Sequence, residues 1–395
     1  MQAGTRDRPE PPGCAREPRA RRSGWVAEAA DIVPFPTAPR DLEEAGLSLD
    51  LVLQLVLKSL HFGGTLSGIE LSERIGVQFP IIEPALDQLK WQQHCEIVAG
   101  SVLGGPAFRY RITDAGRQRA GLFLDKNQYV GVAPVPLEQY CDYMRAFRDA
   151  VSNPVTPESV RQTLSHLVLA DDVLDKIGPA VRAGRSLFLY GPPGNGKSVI
   201  SQAIHALLQG EIAIPHAIEV EGAIVRVYDP VNHEAIKEPE DEENGSLDIG
   251  PRFDRRWVRC RRPLIVVGGE FTLDALQLGY NPATGFYRAP VQITSNGGML
   301  VIDDFGRQQC SPRDLLNRWI APLEAGTVYL ALQSGQHFEI PLSILVVFAT
   351  NIKPAELVEE AFLRRVQYKV LAVNPTQADF LRIFSNYCAA LGLAS

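Results

Sequence analysis

"SLFLYGPPGNGKSVISQAIHALL", residues 186–208, is the stretch on which the fold turns. Its opening, "SLFLYG" (186–191), reads as a buried strand, and the segment after the glycines has the apolar spacing of an amphipathic helix. The loop between them fits G-x-x-x-x-G-K-[ST], from Gly191 to Ser198. A nucleoside triphosphate is heavily anionic, and backbone N–H groups at the positive end of a helix can cradle it. Gly194 and Gly196 let the backbone approach with no Cβ in the way. Gly191, Pro192, Pro193, Gly194, Asn195 and Gly196 are therefore the expected cradle, with Lys197 reaching the β- and γ-phosphates and the Ser198 hydroxyl binding Mg²⁺. ATP and Mg²⁺ are the expected cofactors.

Other strand-like runs lie at 223–229 ("AIVRVYD"), 263–269 ("PLIVVGG"), 298–303 ("GMLVID") and 344–350 ("ILVVFAT"). Helical stretches separate several of them, which predicts an α/β fold: a parallel sheet with helices on both faces. "GGMLVIDDFGR" (297–307) delivers Asp303 to the carboxyl end of its strand, where a carboxylate can hold Mg²⁺ through water. Asp304 follows, in position to orient or polarise the attacking water. Asn351, at the end of "ILVVFATN", falls near the γ-phosphate, unless it is only a turn residue. In "EEAFLRRVQYKV" (359–370), Arg364 and Arg365 can stabilise charge on a neighbour's transferring phosphoryl group, or form a basic helix end. The interval 211–262 is otherwise less regular and gets no detailed assignment, and "EPEDEENG" (238–245) reads as a solvated acidic loop. "GYNPATGFYR" (279–288) is either a mobile loop gripping a client with Tyr280, Phe286 and Tyr287, or a packed cover.

Upstream, residues 1–46 form an Arg- and Pro-rich lead, expected to be disordered or to reflect a start codon placed too early. Residues 47–121 predict three helices followed by two strands, the order of a winged-helix module, with Ser48 as a possible N-cap. Its would-be recognition helix carries Glu83 and Asp87 against Lys90, a poor match to phosphate. Protein contact or support is therefore favoured there over DNA binding. Residues 122–180 read as a linker with helices, 181–372 as the ATPase core, and 373–395 as the start of a further, truncated lid.

The whole chain has 395 residues, room for roughly two or three domains of about 150 residues. Its net charge of -7 makes no case for nucleic acid or an anionic membrane as main partner. The six cysteines lack zinc-ligand spacing and fit reduced thiols. No apolar run suits a membrane helix, and the N-terminus is no secretory signal, so a cytoplasmic location is expected.

P-loop, apolar-Asp-Asp, strand-Asn and Leu-Arg-Arg, in that order, resemble the AAA+ ATPases over residues 160–390. The stretches 286–305 and 315–351 are similar to MoxR-type, magnesium-chelatase-type and enhancer-binding relatives of the helix-2-insert type. With its winged helix, the chain resembles bacterial predicted ATPases with chaperone activity. The resemblance implies a P-loop domain, ATP hydrolysis and a homo-oligomeric ring, a hexamer in the family, acting on a protein client. It matches 191–198 to Walker A, Asp303-Asp304 to Walker B, Asn351 to sensor 1, and Arg364 or Arg365 to the arginine finger. It also implies a hairpin of "TVYLAL" and "HFEIPL" around "QSGQ". Two departures stand out: Asp304 replaces the usual Glu, and no sensor 2 lid follows. A DNA-associated ATPase and a low-turnover nucleotide switch are the alternatives.

Overall fold

The computed structural model describes residues 25–26, 35–99, 105–150, 155–184, 186–236, 252–357 and 363–390. At its centre is a five-stranded sheet, all parallel, in the spatial order Leu264–Val267, Met299–Ile302, Leu345–Thr350, Leu187–Tyr190, Tyr368–Leu371. The inner strands are covered on both faces and so read as unbroken apolar runs; Leu345–Thr350 is buried at every position. Alternation still sorts their side chains. Leu187, Leu189, Val301 and Val347 meet helices Asp171–Arg182 and Lys197–His205 through Ile177, Val181, Ile200 and Ile204. Phe188, Leu300, Ile302 and Phe348 face the other way, onto Leu315 and Trp319 of helix Pro312–Ala325.

One strand expectation is corrected. The run at 223–229 does not enter this sheet; Ala223–Arg226 pairs with Ala217–Val220 and Phe286–Arg288 in a second one. The fifth parallel strand is Tyr368–Leu371. As an edge strand it is fully buried only at Val370, so it lacks the apolar run that marks its neighbours.

The second sheet draws on three intervals of the chain: before the phosphate-loop strand, between helix Lys197–His205 and strand Leu264–Val267, and between that strand and Met299–Ile302. Its order is Gly279–Asn281, Phe286–Arg288, Ala223–Arg226, Ala217–Val220, Val135–Pro136. Tyr143 and Phe147 of helix Leu137–Ala150 pack beneath it with Ile212, Ile214 and Trp257. The expected hairpin around "QSGQ" is present as Thr327–Ala331 paired with His337–Pro341, and it adds Val328, Leu330 and Ile340 to that core. The extended piece and helix expected over 135–150 are present as Val135–Pro136 and Leu137–Ala150, and they belong to this body instead of a linker. The 279–288 segment is a packed hairpin, not an exposed grip. Tyr287 is buried, the Tyr280 ring lies 4.8 Å from it at a tilt of 48°, and the half-buried Phe286 packs on the N-terminal core. The acidic stretch 238–245 lies outside the described residues.

In the N-terminal module, helices Leu49–Gly63, Gly68–Ile75 and Phe79–Trp91 surround one core with a three-stranded sheet. Ser48 caps the first helix by accepting from the Leu51 N–H. Thr65–Ser67 is a strand that the sequence reading lacked; it pairs with Arg109–Ile112, which also pairs with Cys95–Ala99. The expected disorder of 1–46 is corrected at strand Trp25–Val26, which pairs with Phe35–Pro36, and from residue 35 onward, while 1–24 and 27–34 lie outside the described residues. Thr37 bridges to Phe253, and helix Leu42–Ala45 is capped by Asp41. The buried Arg256 donates to Ala45 O at 2.7 Å while paired with the buried Asp254. Tertiary partners supply an order that local composition does not encode.

At the other end, helix Gln377–Ala390 exposes Phe380, Leu381, Phe384 and Tyr387. Among the described residues no helix is long and apolar enough to cross a membrane.

Candidate functional site

Open parallel sheets bind ligands beyond the carboxyl ends of their strands. There Tyr190 leads into the loop 191–196, and helix Lys197–His205 begins. Gly191 (φ 146°) must be glycine: a Cβ there would lie 2.2 Å from Ala372 O. Gly194 and Gly196 also take positive φ, and a Cβ on either would meet nothing within 4 Å. Their constraint is the backbone turn, and the space above them is open to a ligand.

Lys197 is buried, and its ammonium donates to the carbonyls of Gly191 (3.1 Å) and Pro192 (2.9 Å). Burial lowers its pKa, and the charges of Asp303 and Asp304 partly oppose that shift. A phosphate group beside it would offer a stronger acceptor than two neutral carbonyls. The Ser198 hydroxyl donates to Asp303 Oδ2 at 2.6 Å. Asp303 ends strand Met299–Ile302, and its other oxygen accepts from the Asp304 N–H at 2.9 Å. Asn351, just past strand Leu345–Thr350, donates to Asp304 Oδ1 at 3.3 Å. Lys197, Ser198, Asp303, Asp304 and Asn351 therefore converge from three adjacent strands.

Asp304 adopts φ 48°, a left-handed conformation uncommon outside glycine and best tolerated by Asp and Asn. Gln308 holds this turn by donating to the carbonyls of Asp303 (2.9 Å) and Asp304 (3.2 Å). Asn195 ties the loop outward, donating to Ala372 O and Asn374 Oδ1, both at 3.0 Å. Sequence reading missed Gln308 and the Asn195 contact, since each depends on a partner that no motif spacing specifies. A hydroxyl and a carboxylate side by side are hard oxygen donors and can hold Mg²⁺.

Arg364 and Arg365 are not brought to this cluster within the chain. They precede Tyr368, which is level with Leu187 at the opposite edge of the sheet. Arg364 is exposed, while Arg365 is half-buried and its Nε donates to Glu324 Oε1 at 2.5 Å. Among the described residues no cluster of His, Cys, Asp and Glu suits a metal held by protein alone.

No protein-family model matches the chain, and no curated protein matches it. Among solved structures, it is similar to a model of the complex between subunits BchI and BchD of magnesium chelatase, based on a single-particle cryo-EM reconstruction. The identity is 19%, the TM-score is 0.34, and the match covers 60% of this chain and 65% of that one. A superposition that loose carries no argument; the α/β assignment rests on the five parallel strands themselves.

Proposed function

We propose that this chain is an AAA+ protein that binds ATP with Mg²⁺, hydrolyses it, and acts as a ring-forming remodeller of a protein client. The observation that carries the reading is the 2.6 Å contact between Ser198 and Asp303, from segments 105 residues apart. Its chemistry fits the ion: Ser198 donates a hydroxyl oxygen and Asp303 a carboxylate. Bound Mg²⁺ supplies charge neutralisation at the phosphates. The remaining work belongs to the chain. The 191–196 N–H groups and Lys197 hold the phosphates, Asp304 orients the attacking water, and Asn351 steadies Asp304. Arg364 or Arg365 serves the site of a neighbouring copy.

A remodeller is favoured over a DNA-associated ATPase by the N-terminal module. On helix Phe79–Trp91, Lys90 is paired with Asp87 at 2.7 Å, and on the hairpin Arg111 is paired with Glu96 at 2.7 Å. Cations already paired in the chain add little attraction for phosphate. The low-turnover switch is a second reading, favoured by Asp304, which is one methylene shorter than Glu and held in a left-handed turn.

The deciding experiment is titration of a fluorescent ATP analogue into wild-type and Lys197→Ala protein. The variant should bind at least about tenfold more weakly, the scale of one lost charge-assisted contact. Equal affinity overturns the assignment.

A further inference from the structure

Strand Leu345–Thr350 is apolar from Leu345 to Ala349, and Thr350 then closes it with a fully buried side chain. Valine has nearly the same shape and would bury there with no polar atom to satisfy. The Thr350 hydroxyl is satisfied twice, and both partners adjoin the candidate site. It donates to the carbonyl of Phe305 at 2.7 Å and accepts from the Ile352 N–H at 3.2 Å. Phe305 follows Asp304, and Ile352 follows Asn351. One side chain thus ties together the two backbone segments that carry Asp304 and Asn351.

Asp304 needs such a tie more than a glutamate would. Its carboxylate is placed by the backbone and by one side-chain torsion fewer than in glutamate, so an error in the backbone passes directly to the oxygens. That backbone sits at φ 48°, a region that non-glycine residues rarely occupy. Its neighbours hold it there. The Phe305 N–H donates to Ala349 O at 2.7 Å, and the Phe305 ring is buried against Phe188 and Phe348. The Arg307 N–H donates to Asp304 O at 2.9 Å. Gln308 donates to the carbonyls of Asp303 (2.9 Å) and Asp304 (3.2 Å) and accepts from the Gly306 N–H at 2.8 Å. The turn 303–308 is therefore fixed by Thr350 from the neighbouring strand and by Gln308 from within.

We propose that Thr350 and Gln308 are positioning residues for hydrolysis, which hold the Asp304 carboxylate in register with the Asn351 amide. The inference rests on the reading of Asp304 as the residue that orients water. Thr350 has no exposed surface, so it acts through Asp304 and Asn351 and not on the nucleotide itself. A misplacement of about 1 Å at a reacting group can cost about 10²-fold in rate.

The test uses the full chain as wild type, Thr350→Val, Thr350→Ser and Gln308→Met, with ATP and Mg²⁺. Thr350→Val should lower kcat for phosphate release at least about tenfold, while affinity for a fluorescent ATP analogue stays within about twofold. Thr350→Ser, which keeps the hydroxyl, should retain more than about half of wild-type kcat. Gln308→Met should lower kcat as Thr350→Val does, and it carries the test if the buried substitution unfolds the chain. In an Asp304→Asn background, Thr350→Val should change kcat by less than about twofold, because a residue acting through Asp304 has little left to position. A general loosening of the fold would slow both backgrounds alike. Without nucleotide, amide exchange at Ile352 should quicken at least about fivefold in Thr350→Val, which probes the tie apart from turnover. Equal kcat in wild type, Thr350→Val and Gln308→Met, an equal fall in both backgrounds, or unchanged exchange at Ile352 overturns the positioning role alone. Wild-type protein that binds the analogue yet releases no phosphate overturns the hydrolytic reading, and this inference with it.

Discussion

The two ends of the parallel sheet carry opposite chemistries. At the carboxyl ends of the strands, Ser198 donates to Asp303 and Asn351 to Asp304, while Lys197 donates to the loop carbonyls of Gly191 and Pro192. At the amino ends, four arginines surround one glutamate. Helix direction accounts for the sign at each end. Lys197–His205 presents its positive N-terminus beside Asp303 and Asp304, while Asp171–Arg182 and Pro312–Ala325 present negative C-termini beside the arginines. Helix direction does not account for the amounts. Two carboxylates outnumber the one lysine at the first end, which suits a cation there, while the loop N–H groups suit a polyanion. At the second end the arginines are answered within the chain: Arg148 lies 3.7 Å from Asp149, Arg365 pairs with Glu324, and Arg262 donates to Gly297 O.

The largest expected effect tests whether an arginine preceding the edge strand acts on a neighbouring copy. Arg364→Ala should lower steady-state phosphate release by about 10³-fold, the lower end of what an arginine supplied in trans is worth. Arg365→Ala should cost less turnover, because its guanidinium is already engaged by Glu324. Mixing Arg364→Ala with Lys197→Ala subunits should restore activity at mixed interfaces. Specific activity that stays flat with protein concentration, with no restoration on mixing, would separate the two ends completely. Next in size, Asp304→Asn should leave nucleotide bound and slow hydrolysis by roughly 100-fold if Asp304 activates water. Equal release rates in wild type and variant would remove Asp304 from the mechanism, and a wild type with almost no turnover would favour the switch.

The smallest effect calibrates what a buried cation costs when no carboxylate answers it. Lys58, 2% exposed, donates to the carbonyls of Asn127 (2.5 Å) and Tyr129 (3.3 Å). Burial lowers its pKa from 10.5 to about 8. Between those values the unfolded chain binds more protons than the folded one, so stability rises with pH, and below about 8 the full penalty stands. Urea unfolding should therefore show the N-terminal module gaining about 1–2 kcal/mol between about pH 7.5 and 9.5. Lys58→Met should remove that slope; an equal slope in the variant would assign it to other groups.

The first end was legible in sequence because its residues are local: a contiguous loop, and carboxylates directly after an apolar strand. Each motif carries its own backbone geometry, so Lys197, Ser198, Asp303 and Asn351 could be expected to come together before any fold was drawn. The second end was not, since Arg148, Arg182, Arg262 and Arg365 come from four separate elements and only packing gathers them. The same reason explains the misplaced strand at 223–229. A half-buried run of β-formers does not state which sheet it joins. The ordered residues 35–46 repeat the lesson, their partners Phe253, Asp254 and Arg256 lying more than two hundred positions away.

The position of residues 135–150 has a practical consequence for anyone who cuts the gene. A fragment beginning at residue 181 looks like a self-sufficient ATPase on paper. It would lack the strand Val135–Pro136 that covers Ala217–Val220, and the helix that seats Tyr140, Tyr143, Met144 and Phe147 in the second core. Each aromatic ring there hides roughly 150–250 Å² from water. The wound left behind would span several hundred Å² of bare apolar surface beside an unpaired strand edge, a recipe for insoluble protein. The useful cut falls before residue 25, since strand Trp25–Val26 pairs with Phe35–Pro36.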